Sequence, residues 1–227
     1  MPNPVSPFQE DNFFSEEEYT EIYTILENIM KKGEEDLNDK YGYMKKLTNN
    51  GFIAIFFSEL RNQDKLPKLS DALENKIKAK FEEVAKEPVD HIGIAFARYT
   101  LDSGDIPSLL PHCDRSETHV SYTFTVELDK SKPWDFYVED QKFDMKPNSA
   151  IWFSGTHQSH WRPDANFDSN DFYDIFLCQT HLSSDGSPLP EDHYDNGDQI
   201  SVEFAEKYSE LLKDSLEKAE RINGACQ

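Results

Sequence analysis

A histidine and an aspartate stand two positions apart in the segment Pro111-His112-Cys113-Asp114. In an extended chain, residues i and i+2 point to the same side. His112 and Asp114 could therefore present an imidazole and a carboxylate to one metal ion. Such a pair occurs often by chance, so its meaning depends on whether the chain supplies a third ligand.

The candidates for a third ligand lie between Gly155 and Pro163, a segment that contains both His157 and His160. Two histidines and one carboxylate form the facial triad of non-haem iron(II) sites, which leaves coordination positions open for a co-substrate and oxygen. Residue types alone do not choose between the two histidines. The pattern predicts a mononuclear iron site, and its Asp114 carboxylate argues against the halogenating variant, in which halide replaces that ligand.

Strands must position these ligands, and the second half of the chain supplies them. Apolar and polar residues alternate over His119–Leu128 with the period of two that is typical of a strand. Short strand-like segments separated by turn residues indicate a barrel or jelly roll. The other predicted strands are Phe52–Phe57, Ile92–Thr100, Trp134–Val138, Lys142–Met145, Ser149–Phe153 and Phe172–Thr180.

Three predicted helices accompany the strands. Ser15 and Glu18 have the spacing of a capping box, and apolar residues then recur at helical spacing as far as Met30. A second helix is predicted over Leu69–Val84 and a third over residues 200–222. We predict one α+β domain over residues 1–227. Its jelly-roll core spans about 90–182, with helical support at about 12–85 and 200–222.

Charge and apolar content exclude some classes of partner. The 227 residues include 44 acidic and 23 Lys or Arg residues, which gives a formal net charge of -21. A surface of this sign repels phosphate groups, so we expect no nucleic-acid partner and no anionic membrane partner. No apolar run approaches the roughly 20 residues that span a bilayer. The first ten residues lack the features of a signal peptide, and we expect a cytoplasmic protein.

Five short motifs follow one another along the chain. Residues 12–19 read Asn-Phe-Phe-Ser-Glu-Glu-Glu-Tyr, Arg98-Tyr99 precedes Gly104 and the His112–Asp114 pair, residues 147–153 read Pro-Asn-Ser-Ala-Ile-Trp-Phe, and His160-Trp161-Arg162 ends the series. This series resembles the iron(II)/2-oxoglutarate-dependent dioxygenase superfamily, in its prolyl-4-hydroxylase-like branch. The resemblance covers residues 12 to 180. The order and spacing of the motifs are more specific than any one of them.

The resemblance implies a double-stranded β-helix core in which His112, Asp114 and His160 hold iron(II). The His-Trp-Arg motif favours His160 over His157 as the distal ligand. 2-Oxoglutarate and O2 are the implied co-substrates, with ascorbate as a further candidate. The implied activity is hydroxylation of an unactivated C–H bond in a protein side chain, such as a proline, or in a small amino acid-like molecule.

The resemblance also suggests residues for 2-oxoglutarate. Tyr99 matches a tyrosine that hydrogen-bonds this co-substrate. Tyr122 lies on the apolar face of its strand, where packing in the core is the alternative to a hydroxyl in the pocket. The family further needs a basic group for the distal carboxylate, because a guanidinium fits a carboxylate fork.

The sequence departs from the family at this basic group. The family places it a short distance after the distal histidine, yet the stretch from Phe167 to Thr180 contains no Arg or Lys. Arg162 is the nearest basic residue, and Arg98 and Arg115 are weaker substitutes. An ion pair with one of the many acidic side chains is the other explanation of Arg162.

Two other functions fit the same residues. The first is a non-enzymatic jelly-roll module that binds a ligand or a protein through its acidic surface and has incidental histidines. The second is an enzyme of the same shape that uses another metal and no 2-oxoglutarate. Iron retention and the visible band of an iron–2-oxoglutarate chelate would distinguish the three.

Overall fold

Strands form two antiparallel sheets in the described part of the chain. The computed structural model describes residues 5–32, 44–47, 52–56, 69–89, 92–101, 107, 109–112, 114 and 119–183. The elements in chain order are β1 (Phe8–Glu10), α1 (Glu16–Lys32), β2 (Met44–Leu47), β3 (Phe52–Phe56), α2 (Asp71–Ala85), β4 (Gly93–Thr100), β5 (Leu109–His112), β6 (His119–Lys130), β7 (Phe136–Val138), β8 (Gln141–Phe143), β9 (Ala150–Phe153), β10 (His160–Arg162) and β11 (Phe172–Ser183). The larger sheet has the order β1-β9-β6-β11-β4-β3-β2 and the smaller β5-β10-β7-β8.

The first described helix begins where the sequence predicts, and the second begins two residues later. The Ser15 amide donates to Glu18 Oε2 at 2.8 Å, and the Glu18 amide donates to Ser15 Oγ at 3.2 Å, which is the predicted capping box. The second helix begins after Ser70, whose hydroxyl accepts from the Leu73 amide at 3.3 Å. Its cap therefore starts the helix two residues later than the apolar spacing predicts. The third predicted helix, at residues 200–222, lies outside the described residues.

Both helices pack on the outer face of the larger sheet. Apolar residues of α1 and α2 form one buried cluster with alternate residues of β4, β6, β9 and β11. Aromatic rings dominate the cluster, as in the contacts of Phe124 with Trp152 at 4.5 Å and with Phe81 at 5.4 Å. Burial of one such side chain contributes about 1.5–3 kcal/mol, so this face supplies much of the folding free energy. The prediction that helices support one face of the sheet is confirmed for these two.

The inner face of the larger sheet packs against the smaller sheet. Phe136, Val138 and Phe143 of the smaller sheet form a buried cluster with Ile151 and Phe153 of β9. The larger sheet is therefore covered on both sides. The strands that complete the smaller sheet, β5 and β10, are absent from the list of predicted strands, although the equally short β7 and β8 overlap the predicted Trp134–Val138 and Lys142–Met145.

Candidate active site

Strand pairing brings the predicted metal ligands together. Strand β10 pairs with β5, and the Cα atom of His160 lies opposite that of His112. Asp114 follows β5, and its amide donates to the Gly155 carbonyl at 2.8 Å. His160 Nε2 is 3.6 Å from Asp114 Oδ1. The side chain of His112 lies outside the described part of the structure, so its approach is known from the backbone alone.

Neighbouring groups orient both side chains as metal ligands require. Gln179 Nε2 donates to Asp114 Oδ2 at 3.0 Å. His160 Nδ1 is 3.2 Å from the Gln158 carbonyl, which can only accept, so Nδ1 carries the proton and Nε2 offers its lone pair to the site. Two donors bound at about 2.1 Å to one ion lie roughly 3 to 3.6 Å apart. The pair fits a borderline metal such as iron(II) or zinc.

The second candidate histidine lies in the turn after β9. His157 Nδ1 is 2.9 Å from Thr156 Oγ1 and 3.4 Å from Ser154 Oγ. Among the described residues no group of three His, Cys, Asp or Glu side chains is arranged around a metal position. The Asp114–His160 pair is thus the part of the predicted triad whose side-chain geometry the structure describes.

The third residue of the His-Trp-Arg motif is a buried cation. Arg162 is 2% exposed, and its guanidinium lies 4.5–4.9 Å from the ring centres of Trp134, Phe136 and Tyr173. Nη1 donates to the Trp134 carbonyl at 2.8 Å, and Nη2 lies 3.2 Å from the Met145 sulfur. Phe136 also lies beside the His160 ring, at 6.4 Å between ring centres. His160 and Arg162 therefore face the same interior space.

The alternative explanation of Arg162, an ion pair with a carboxylate, finds no support among the described residues. In the part of the chain that the structure describes, the salt bridges of arginine to carboxylates involve Arg98 and not Arg162. Arg98 Nε and Nη2 bind Asp174 at 2.7 and 2.6 Å on the helix side of the sheet. Arg98 as a substitute for the co-substrate arginine is therefore wrong. Arg115 lies outside the described residues.

Other polar groups surround Arg162. Tyr99 is buried and packs edge-on against Trp134 at 4.9 Å. Burial raises the pKa of Tyr99, and the nearby charge of Arg162 partly opposes this increase. Tyr173 Oη donates to Glu127 Oε2 at 2.7 Å, within the same group. The side chain of Tyr122 lies outside the described part of the structure, so its predicted role is not tested.

The sequence-based prediction misses Gln179, Tyr173 and Glu127. Each stands at an interior position of a long strand, where alternation alone does not separate an interior polar residue from an exposed one. These residues could be recognised as interior only if the sequence showed that a second sheet covers their face. The short segment of β10 gives no such pattern.

No family model matches this sequence, and no curated protein matches it significantly. Solved structures share its fold. A prolyl-4-hydroxylase from Pseudomonas putida has a TM-score of 0.51 at 12% identity, over 77% of this chain and 91% of that one. A prolyl hydroxylase from Trichoplax adhaerens, solved with a peptide fragment of hypoxia inducible factor, has 0.52 at 12% identity, over 79% and 84%.

The third similar structure is that of a carbocyclase. The non-haem alpha-ketoglutarate-dependent carbocyclase SnoK from nogalamycin biosynthesis has a TM-score of 0.56 at 12% identity, over 87% of this chain and 90% of that one. None of the described helices is long and apolar enough to cross a membrane.

The similarity to these solved structures shows that the chain has the mixed helical and antiparallel-sheet fold of prolyl-4-hydroxylases and other 2-oxoglutarate-dependent oxygenases, as the sequence motifs predict.

Proposed function

We propose that this protein is a non-haem iron(II), 2-oxoglutarate-dependent oxygenase with a double-stranded β-helix core. One observation carries the proposal: strand β10 contributes a histidine next to an aspartate and, two residues later, a buried arginine that forms no ion pair with a carboxylate among the described residues. Both side chains face the space between the two sheets. The Asp114–His160 pair can bind a metal ion, and the Arg162 guanidinium in the same interior can bind a carboxylate. Together they fit a co-substrate that chelates the metal at one end and carries a second carboxylate at the other.

In this proposal, different residues bind the metal and the co-substrate. His112, Asp114 and His160 hold the iron, and Gln179 keeps one carboxylate oxygen of Asp114 oriented. When bound, iron(II) with 2-oxoglutarate and O2 supplies the oxidising power for hydroxylation of a C–H bond.

Arg162 receives the distal carboxylate of 2-oxoglutarate. A guanidinium has five N–H donors, and the described contacts with Trp134, Met145 and Tyr173 leave others free for a carboxylate. The rings around the guanidinium hold it in place and exclude water, which strengthens the interaction. Tyr99 lies close enough for the charge of Arg162 to act on it and serves the same carboxylate. This arrangement replaces the basic residue that the sequence lacks between Phe167 and Thr180.

The substrate class rests on the neighbours. The Trichoplax enzyme was solved with a peptide fragment, and SnoK is a carbocyclase of nogalamycin biosynthesis. A protein side chain and a small amino acid-like molecule are therefore both candidates, in a cytoplasmic setting. The acidic surface favours a substrate without a large negative charge.

An anaerobic titration tests the proposal. Iron(II) is added to metal-free protein, bound iron is measured after desalting, and 2-oxoglutarate is then added while the visible spectrum is recorded. We expect one iron per chain and a new charge-transfer band. His112→Ala and His160→Ala should each lose iron, because two remaining ligands hold the ion poorly.

His157→Ala is the matched control and should retain iron. Loss of iron in His157→Ala with retention in His160→Ala would overturn the choice of the distal ligand. Iron retention without the band would indicate an enzyme that uses no 2-oxoglutarate, and absence of iron binding would indicate a non-enzymatic binding module.

A further inference from the structure

A row of polar side chains follows the inner face of β6. Thr123, Thr125 and Glu127 alternate with Phe124 and Val126, which belong to the outer cluster. All three polar residues are at most 2% exposed. Their alternation places them toward the smaller sheet, in the same interior as Arg162.

One oxygen of each of these side chains lacks a partner within the described structure. The atoms are Thr123 Oγ1, Thr125 Oγ1 and Glu127 Oε1, each with no hydrogen bond. A buried polar atom without a partner costs about 1–3 kcal/mol, so three in one row require an explanation. Ile151 of β9 and Ile175 of β11, which neighbour the middle of the row, are apolar and offer these oxygens no side-chain partner. The row is therefore a polar wall between the polar groups at its two ends, Gln179 and Tyr173.

The wall extends from the metal site to Arg162. Thr123 lies opposite Gln179, the residue that binds Asp114, and Glu127 lies opposite Ile175 farther along β11. Glu127 is also connected to the arginine group, because it accepts from Tyr173 Oη at 2.7 Å and Tyr173 lies against the guanidinium of Arg162. The row thus ends where the distal carboxylate of the proposed co-substrate would bind.

Glu127 Oε2 has a second donor. Lys130 Nζ is 3.0 Å from it and 2.9 Å from the Met145 carbonyl, while Met145 contributes its sulfur to Arg162. Two cations and one carboxylate therefore meet at this end of the interior. With Glu127 ionised their sum is one positive charge, which matches a single additional carboxylate. Burial raises the pKa of Glu127, and the bonds from Tyr173 and Lys130 oppose that increase.

We propose that Glu127 is a positioning residue for 2-oxoglutarate: it fixes Tyr173 and through it Arg162, so that the site selects a 2-oxo acid with a distal carboxylate. The inference rests on the proposed function and adds the residues that set selectivity. Glu127 acts through Arg162 and is not itself a metal ligand. Its unpartnered Oε1 and the two threonine hydroxyls complete the polar wall beside the co-substrate.

The test compares two 2-oxo acids of equal carbon number. Full-length protein is loaded anaerobically with iron(II), and dissociation constants are measured for 2-oxoglutarate and for 2-oxopentanoate, which has the same chelating end and no distal carboxylate. The variants are Glu127→Gln, Tyr173→Phe and the double substitution. Asp129→Asn is the matched control, since Asp129 is an acid of the same strand that accepts from Tyr23 of helix α1.

We expect Glu127→Gln and Tyr173→Phe each to weaken 2-oxoglutarate binding by about tenfold or more, the usual effect of losing a hydrogen bond to a charged group. Binding of 2-oxopentanoate and iron retention should not change. The double variant should be no weaker than the stronger single variant, because both residues act through one connection. Asp129→Asn should bind both acids as the wild type does.

Each outcome decides the proposal. Equal loss for both acids, or loss of iron, would show that Glu127 only maintains the fold and would overturn its positioning role. Wild-type selectivity in the Glu127 and Tyr173 variants would also overturn it, while the proposed function would stand. A wild-type protein that binds the two acids equally would overturn the proposed function and this inference together.

Discussion

Two arginines on opposite faces of the larger sheet differ in how their charges are compensated. Arg98 lies on the helix side, where Asp174 binds it through two hydrogen bonds and Glu27 lies 3.7 Å away. Arg162 lies in the interior among three rings, with a carbonyl and a sulfur as its hydrogen-bond acceptors. The first charge is half-buried and paired, and the second is more deeply buried and has no ion pair among the described residues.

The difference separates a structural charge from a binding charge. A buried ion without a partner is costly, and removal of one member of a buried pair is costly for the same reason. Arg98 has its carboxylate within the fold, so its contribution is to stability. Arg162 has no carboxylate in an ion pair among the described residues, which agrees with the proposal that its partner is an anion of the bound ligand. The following predictions test this separation.

The largest effect is expected from Arg162→Leu. Loss of the cation should weaken 2-oxoglutarate binding by about 100-fold or more, the consequence of removing one partner of a buried charge pair. Thermal stability of the ligand-free protein should be maintained or should increase, because an uncompensated buried charge is removed. Titration of the iron-loaded variant and a melting curve measure the two quantities. A large loss of thermal stability with unchanged 2-oxoglutarate binding would show that Arg162 stabilises the fold and does not bind the co-substrate.

Asp174→Ala should show the opposite pattern. It leaves Arg98 without its main partner, and we expect the free energy of unfolding to fall by about 2–3 kcal/mol, less than for a fully buried pair because Arg98 is partly exposed. Co-substrate binding by the folded variant should equal that of the wild type. Urea denaturation measures the change, and the exposed Asp144 provides the control, since Asp144→Asn should stay within about 0.5 kcal/mol. An unchanged midpoint for Asp174→Ala would refute the structural role of the pair.

The sequence predicts the outer face of the sheet well and the inner face poorly. Phe124 and Val126 are apolar, so their residue types predict that they are buried. The alternation around them locates β6 correctly. The same alternation does not show whether Thr125 and Glu127 face solvent or a second layer. The predicted strands Trp134–Val138 and Lys142–Met145 correspond to two strands of that layer, but the three residues of β10 are too few to show a period, so its place in the smaller sheet could not be read from the sequence.

The proximity of Asp114 and His160 could be predicted from the sequence, whereas the charge environment of Arg162 could not. His160 and Asp114 are identified by residue type and motif order, and the structure brings them together. The role of Arg162 depends on the absence of a carboxylate next to it, and a chain with 44 acidic residues gives no indication of where each one lies. Compensation of charge is a property of the packed structure, because residues distant in sequence decide it.

The smallest predicted effect concerns a compensated carboxylate outside both arginine sites. Asp171 precedes β11 and accepts from the Asp168 amide at 2.8 Å, from Lys132 at 2.5 Å and from Ser131 at 2.8 Å, and these bonds lower its pKa to about 2. A carboxyl group whose pKa is lower in the folded state stabilises the protein above its unfolded pKa of about 3.9. That contribution is lost as the pH falls from about 4 toward 2. The melting temperatures of metal-free wild type and Asp171→Asn should therefore converge over this range. The opposite result is a difference in melting temperature between wild type and Asp171→Asn that stays constant down to the lowest pH at which unfolding is cooperative. That result would mean that the bonds to Asp171 do not depend on its charge.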